Sequence, residues 1–295
     1  MPDQAESLRQ WARENAATTG NNERRSAKKT RLIGVASGKG GVGKSNIALN
    51  FALKLQELGE KVALMDADLG FSNIDILLGV KAQHTLQDVL EGKTSLDSAF
   101  MKSFHGIAVI SGSSGVLLDD SESKAHLSRF AHELARVDGQ FDRIYVDFGA
   151  GFGRHSEYLM ALCDEVMILS TPEPTALADA YTLVKMAARR GELPILKLII
   201  NRARSVGEAV EAAEKFSALT RRFLHVETDI LGYVLEDFAV ARAVKKQVPF
   251  IVGEPNSIAS RCISQIAKNT LNAKVVTYSP KRGLSALIDR LRRSF

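Results

Sequence analysis

Gly38, Gly43, Lys44 and Ser45 stand at the spacing G-x-x-x-x-G-K-S, and each type answers a need of a bound polyphosphate. Glycines let backbone N–H groups close on phosphate oxygens, a lysine at position 44 reaches the β and γ oxygens, and a serine at position 45 holds Mg²⁺. The whole turn, Gly38, Lys39, Gly40, Gly41, Val42, Gly43, Lys44, Ser45 and Asn46, is the candidate nucleotide-binding loop. The bland alternative is an ordinary glycine turn. Context disfavours it, because a branched apolar run (Leu32, Ile33, Val35) enters the loop and a helical pattern leaves it from Asn46. Strand, loop and helix in that order put a helix N-terminus where an anion would sit. Lys39 is a second lysine within the same turn, and a plain phosphate loop has no use for it.

The elements that would position this chemistry follow from the apolar pattern. Ile47, Leu49, Phe51, Ala52, Leu55 and Leu58 predict a helix that stops at Gly59. Strand-like runs then recur at Val62–Met65, Ile107–Ile110, Ile144–Val146, Val166–Leu169, Leu196–Ile200 and Ile230–Val234. Helical segments near 120–137, 154–162, 174–190, 207–224 and 256–272 separate them. Strands this apolar, alternating with helices, predict an α/β fold: a mostly parallel twisted sheet covered by helices on both faces. In such sheets ligands bind beyond the carboxyl ends of the strands. The residues expected there are Asp66 and Asp68 after the second strand, Asp147 after the fourth, and Asn201 with Arg202 after the sixth. Singly, each would serve as a helix cap or a solvated loop; behind a phosphate loop they form a set.

At 295 residues, with 45% hydrophobic and 25% charged residues, the chain has the composition of an ordinary soluble globular protein with ample core. Its two cysteines, Cys163 and Cys262, have no C-x-x-C partner, which points to a reducing cytosol and away from a metal–thiolate site within one chain. No stretch has the length of a signal peptide core or a membrane span. The net charge of +5 is uneven: residues 1–20 sum to −1, 21–31 to +4 and 274–295 to +5, leaving −3 for the body between. Basic ends of this kind suit an acidic partner or an anionic membrane surface better than a broad nucleic-acid face.

Lys39-Gly40-Gly41-Val42-Gly43-Lys44-Ser45 resembles the MinD/ParA group of deviant Walker A ATPases, over about Leu32 to Asn272. The resemblance implies a P-loop NTPase fold, ATP/ADP and Mg²⁺ as ligands, and a homodimer in the ATP state. It gives Lys39 a role across the dimer interface, on the phosphates of the opposite subunit, beside Lys44 on its own. It implies Mg²⁺ held by Ser45 with Asp66 and Asp147 in support, Asp68 orienting the attacking water, and Asn201, with Arg202, at adenine. Leu231 to Asp237 looks like a second base-lining loop. One departure is Phe148-Gly149 after Asp147, where that group commonly has a proline. Within the group, Asp3-Gln4-Ala5-Glu6-Ser7-Leu8-Arg9 and Gly70 to Asp75 resemble the FlhG flagellar-number regulators. That likeness implies an N-terminal helix that stimulates the FlhF GTPase, with Gln4 acting in trans and Asp3, Ala5, Leu8 and Arg9 as contacts. It also implies flagellar basal-body (C-ring) proteins as partners.

The chain therefore divides into a partner-binding helix (1–13), a polar linker (14–30), the ATPase domain (31–275) and a C-terminal tail (281–295). In the tail Leu284, Leu287, Ile288, Leu291 and Phe295 form an apolar stripe among five basic residues. Such a helix lies in an anionic membrane surface or packs on its own domain. The expected protein is cytoplasmic and reversibly peripheral to the inner face of the cell membrane. The alternative is a MinD- or ParA-like partitioning ATPase acting at the division site or on DNA, although leucines in the tail make nucleic acid an unlikely partner.

Overall fold

The computed structural model describes residues 29–68, 73–102, 106–112, 123–149, 160, 162–189, 193–272 and 284. The expected N-terminal helix, most of the expected linker and, apart from Leu284, the C-terminal tail lie outside the described residues.

Eight strands form one sheet. In chain order the elements are β1 (Arg31–Ala36), α1 (Lys44–Glu57), β2 (Val62–Ala67), α2 (Ile74–Leu78), α3 (Leu86–Glu91), α4 (Leu96–Ala99), β3 (Met101–Lys102) and β4 (Ala108–Ile110). There follow α5 (Ser123–Arg136), β5 (Arg143–Phe148), β6 (Glu165–Ser170), α6 (Pro174–Ala188), β7 (Ile195–Ala203) and α7 (Val206–Leu224). β8 (Asp229–Leu235), α8 (Phe238–Lys245), α9 (Phe250–Gly253) and α10 (Ile258–Asn272) complete the series. Their order across the sheet is β3-β4-β2-β5-β1-β6-β7-β8. Seven strands are mutually parallel, and β3 alone runs antiparallel, against β4.

The seven strands read from the apolar runs are all present, and the sheet is buried as its composition requires: β5 and β6 are buried at every position. One face packs on α1, α2, α9 and α10 through Phe51, Leu55, Phe250 and Ile263. The other packs on α3 to α7 through Leu86, Phe130, Leu183 and Phe216. The two-residue β3 and the short helices α2, α3, α4, α8 and α9 were not foreseen, since four to eight residues hold too little of a 3.6-residue period to register.

Two boundaries differ from expectation. Thr30, which the sequence reading assigns to the linker, is buried; its amide donates to Asp138 Oδ1 at 2.9 Å and its hydroxyl to the Phe141 carbonyl at 2.7 Å. β7 continues to Ala203 through an irregularity in its pairing with β8, so Asn201 lies inside the strand rather than after it.

Candidate functional site

The sheet's strand order splits around β1: β2 and β5 leave on one side, β6 and β7 on the other. The glycine-rich loop crosses this point, where an open α/β sheet places its ligand. Local chemistry keeps the loop open for one. Gly43 takes φ +89°, and a Cβ there would lie 2.5 Å from Asn201 Nδ2. On its other side the loop presses Gly38 against α6, where a Cβ would lie 2.2 Å from the Asp179 backbone. α1 begins directly behind, with no side-chain cap and no acidic residue in its first turn. By contrast α3, α4, α7 and α8 are capped by Thr85, Ser95, Ser205 and Asp237. The N–H groups that begin α1 are therefore left for an external acceptor.

Three carboxylates gather at the carboxyl ends of β2 and β5. Asp66 and Asp147 are register partners across the parallel pair, a juxtaposition that a separation of 81 positions conceals in the sequence. Lys44 and Asp147 form a buried ion pair, the lysine side chain 7% exposed and the carboxylate 0%. Burial pushes the Asp147 carboxyl up, against the opposing pull of Lys44 and of a hydrogen bond from Ser45. Its Oδ2 is buried without a hydrogen-bond partner. A buried unpaired carboxylate oxygen is costly unless a further donor completes it. The water shell of a magnesium ion held by Ser45 is such a donor, so the residues present fit that ion. Among the described residues no group of three or more His, Cys, Asp or Glu side chains forms a metal site.

Asp66 accepts three backbone N–H groups, from Asn73 at 2.8 Å, Asp68 at 3.0 Å and Ile74 at 3.2 Å. Its carboxyl is nevertheless pushed up to about 6, first by burial and then by the neighbouring Asp147 charge. Asp68, half-buried, follows β2 directly, and its carboxylate lies beside Gly149 at the end of β5. Phe148, the first residue of the Phe148-Gly149 departure noted above, is buried in the core.

Asn201 is buried and donates through Nδ2 to the Val42 carbonyl at 2.7 Å, gripping the loop from β7. Arg202 is exposed, adopts φ +59° and pairs with Glu236 at 3.4 Å, tying β7 to the segment after β8. Lys39 points the other way from Lys44: its Nζ lies 3.3 Å from Glu173 Oε2, with side chains 44% and 60% exposed. Two participants escaped the sequence reading. Glu173 stands just after β6, where the rule that ligands bind beyond strand ends would have found it. Asn50 sits fully buried within α1, and its only sequence signal is the i, i+4 pairing with Asn46.

Leu284, expected on the apolar stripe of the tail, is 1% exposed against the core face formed by α3 to α7. The remaining tail positions Leu287, Ile288, Leu291 and Phe295, and the N-terminal contacts Asp3, Gln4, Ala5, Leu8 and Arg9, lie outside the described residues. Among the described residues no helix is long and apolar enough to cross a membrane.

A phosphate loop opening into an uncapped helix, with a lysine and carboxylates converging on it from adjacent parallel strands, defines a P-loop NTPase. The ParA family described as "NUBPL iron-transfer P-loop NTPase" matches residues 28–271. Antiactivator FleN of Pseudomonas aeruginosa is 32% identical over 88% of this chain and 93% of its own. The flagellum site-determining protein YlxH of Helicobacter pylori is 34% identical over 89% and 90%. The septum site-determining protein MinD of Pyrococcus horikoshii, solved with Mg-ADP, superposes with a TM-score of 0.67 at 26% identity, over 85% of this chain and 99% of that one. The chain belongs to the MinD/ParA family of P-loop ATPases, within its FlhG branch, which contains FleN and YlxH.

Proposed function

We propose that this chain is an ATP-driven dimerisation switch that regulates flagellar number or placement. The observation that carries it is the opposed disposition of the two loop lysines: Lys44 is buried on Asp147, whereas Lys39 stands at the surface on Glu173. Lys44 serves the chain's own nucleotide. Lys39 would leave Glu173 for the phosphates of a second subunit, so that the loop responds to partnership as well as to ATP. The names of FleN and YlxH support the flagellar output, and the Mg-ADP complex of the MinD relative supports the ligand. Iron is not part of this reading: Cys163 is buried in the core and Cys262 lies on α10, on the opposite face of the sheet, so the two thiols do not meet within one chain.

In this reading Ser45, Asp66 and Asp147 hold a magnesium ion, which when bound neutralises charge developing on the β- and γ-phosphates. Lys44 exchanges the Asp147 carboxylate for phosphate oxygen. The α1 N–H groups and the loop backbone cradle the phosphates, and Asp68 orients the attacking water. Asn201 and Arg202, with the segment after β8, line the adenine.

ATP binding would assemble the dimer, free the tail bearing Leu284 from the domain surface and place two weak amphipathic anchors on an anionic membrane. Two anchors hold where one does not. Residues 3–9 would stimulate the FlhF GTPase through Gln4, and basal-body (C-ring) proteins would bind a surface of the domain. Hydrolysis would return a cytoplasmic monomer.

The test is the mass of the Asp68→Ala chain in Mg·ATP and in Mg·ADP. A dimer confined to ATP is expected, and a monomer in both would overturn the switch. Removing residues 281–295 should abolish ATP-dependent binding to anionic liposomes; unchanged binding would overturn the anchor.

A further inference from the structure

Asn50 is the one fully buried carboxamide of α1, and its hydrogen bonds determine which way the neighbouring amide of the phosphate loop faces. The Ile251 amide donates to Asn50 Oδ1 at 2.8 Å in a buried contact. A backbone N–H can only donate, so the Asn50 atom meeting it is oxygen and not nitrogen, whichever way an amide would otherwise be assigned. The Asn50 nitrogen is thereby turned toward the N-terminus of its own helix. There it donates to the Asn46 carbonyl at 2.8 Å and to the Asn46 side chain at 2.9 Å. An amide nitrogen with two hydrogens needs an acceptor at each of those places, so the Asn46 side-chain atom beside it is Oδ1. Asn46 Nδ2, with both its hydrogens, faces away from Asn50, and no described residue accepts from it.

Asn46 lies in the first turn of α1, directly after Ser45, where the backbone N–H groups are uncapped. We infer that Asn50 is a positioning residue that holds Asn46 Nδ2 as an added hydrogen-bond donor to the nucleotide phosphates, under the control of α9. This rests on the nucleotide reading of the loop and adds to it the identity of the donating atom and the residue that sets it. The alternative is that Asn50 serves only to satisfy the Ile251 N–H, one of the orphan donors that begin α9, whose N-cap Pro249 supplies no side-chain cap. That role uses the Asn50 oxygen alone. It leaves unexplained why the nitrogen meets two acceptors of one residue in the phosphate loop. The relay also joins the loop to the far end of the chain, because the Ser260 hydroxyl of α10 donates to the Phe250 carbonyl at 3.1 Å and thereby holds α9 in place.

The experiment is a double-mutant cycle on Mg·ADP affinity, measured by titration calorimetry of the full-length chain, with ligand-free thermal unfolding as the control for folding. Asn46→Ala should weaken ADP binding about ten- to a hundredfold, the range for a hydrogen bond to a charged group. Asn50→Leu should weaken it by a similar factor, and the double variant no more than either alone. Asn50→Asp provides a second route, since it keeps an acceptor for Ile251 but presents oxygen to Asn46, turning the Asn46 oxygen toward the phosphates. It should weaken ADP more in the native background than in Asn46→Ala, where only the added charge and the Asn46 carbonyl contact act. Independent, multiplying effects of positions 46 and 50 would overturn the inference while leaving the ATPase reading intact. A native chain that binds no ADP would overturn both.

Discussion

The inner and outer walls of the phosphate loop are built on opposite principles. On the inner wall four buried groups are held before any ligand arrives: Lys44 and Asp147 by each other, Asn201 by the loop, and Asp66 by the backbone amides that follow β2. On the outer wall Lys39 and Glu173 meet in solvent, at a distance and exposure where an ion pair contributes about 0–1 kcal/mol. Under the proposed switch, the difference separates groups that would serve one subunit from groups that would wait for another. Buried charge is costly to rearrange and so suits a permanent site. An exposed lysine held by a weak partner changes partners at little cost.

Substitutions separate the walls. The largest effect is expected for Lys44→Ala, which removes the inner cation: turnover should fall by at least about 10³-fold, and Mg·ADP affinity should collapse in the same titration. Near-native ADP binding would erase the distinction. Lys39→Ala should leave ADP binding within about twofold, yet lower ATP turnover about a hundredfold and abolish the ATP-dependent dimer seen by light scattering. Equal damage to ADP binding would place Lys39 on the inner wall instead.

The inner wall should also show in the pH dependence of stability. The Asp66 carboxyl is raised in the folded chain, to about 6 from an ordinary 3.8. Its contribution is therefore fully present below the unfolded value and lost as pH rises through 6. The difference amounts to as much as about 3 kcal/mol in the ligand-free protein. Denaturant unfolding at pH 5 and pH 8 should reveal it as a slope that Asp66→Asn removes; identical slopes would count against the burial. The smallest effect belongs to the outer pair. Glu173→Gln should change ligand-free stability by less than about 1 kcal/mol and, by releasing Lys39, favour the ATP dimer slightly. A loss of several kcal/mol would show the pair to be structural.

Much of this arrangement can be read before folding, but unevenly. Glycine spacing, the lysine and serine of the loop, and the apolar runs before and after it are local features, and the strands they announce are in place. The ends of elements are less legible. By residue type Asn201 follows a strand, because polar residues there resemble a loop, yet pairing with Val234 and Leu235 carries β7 on to Ala203. Thr30 reads as linker by composition, but hydrogen bonds to Asp138 and Phe141 bring it into the domain. Neither partner can be identified from residue type, because each lies more than a hundred residues away.

The sequence by itself determined that a phosphate loop would sit between a buried strand and a helix in a parallel α/β sheet, and that two lysines would share it. Those properties follow from residue type and short-range spacing, which set backbone conformation and burial directly. Only the tertiary structure decided which lysine was enclosed and which stood at the surface, that Asp66 and Asp147 became register partners, and that Asn50 met Ile251 and so turned the Asn46 amide. Each of these depends on strand order and helix packing, which bring together groups that no local pattern relates.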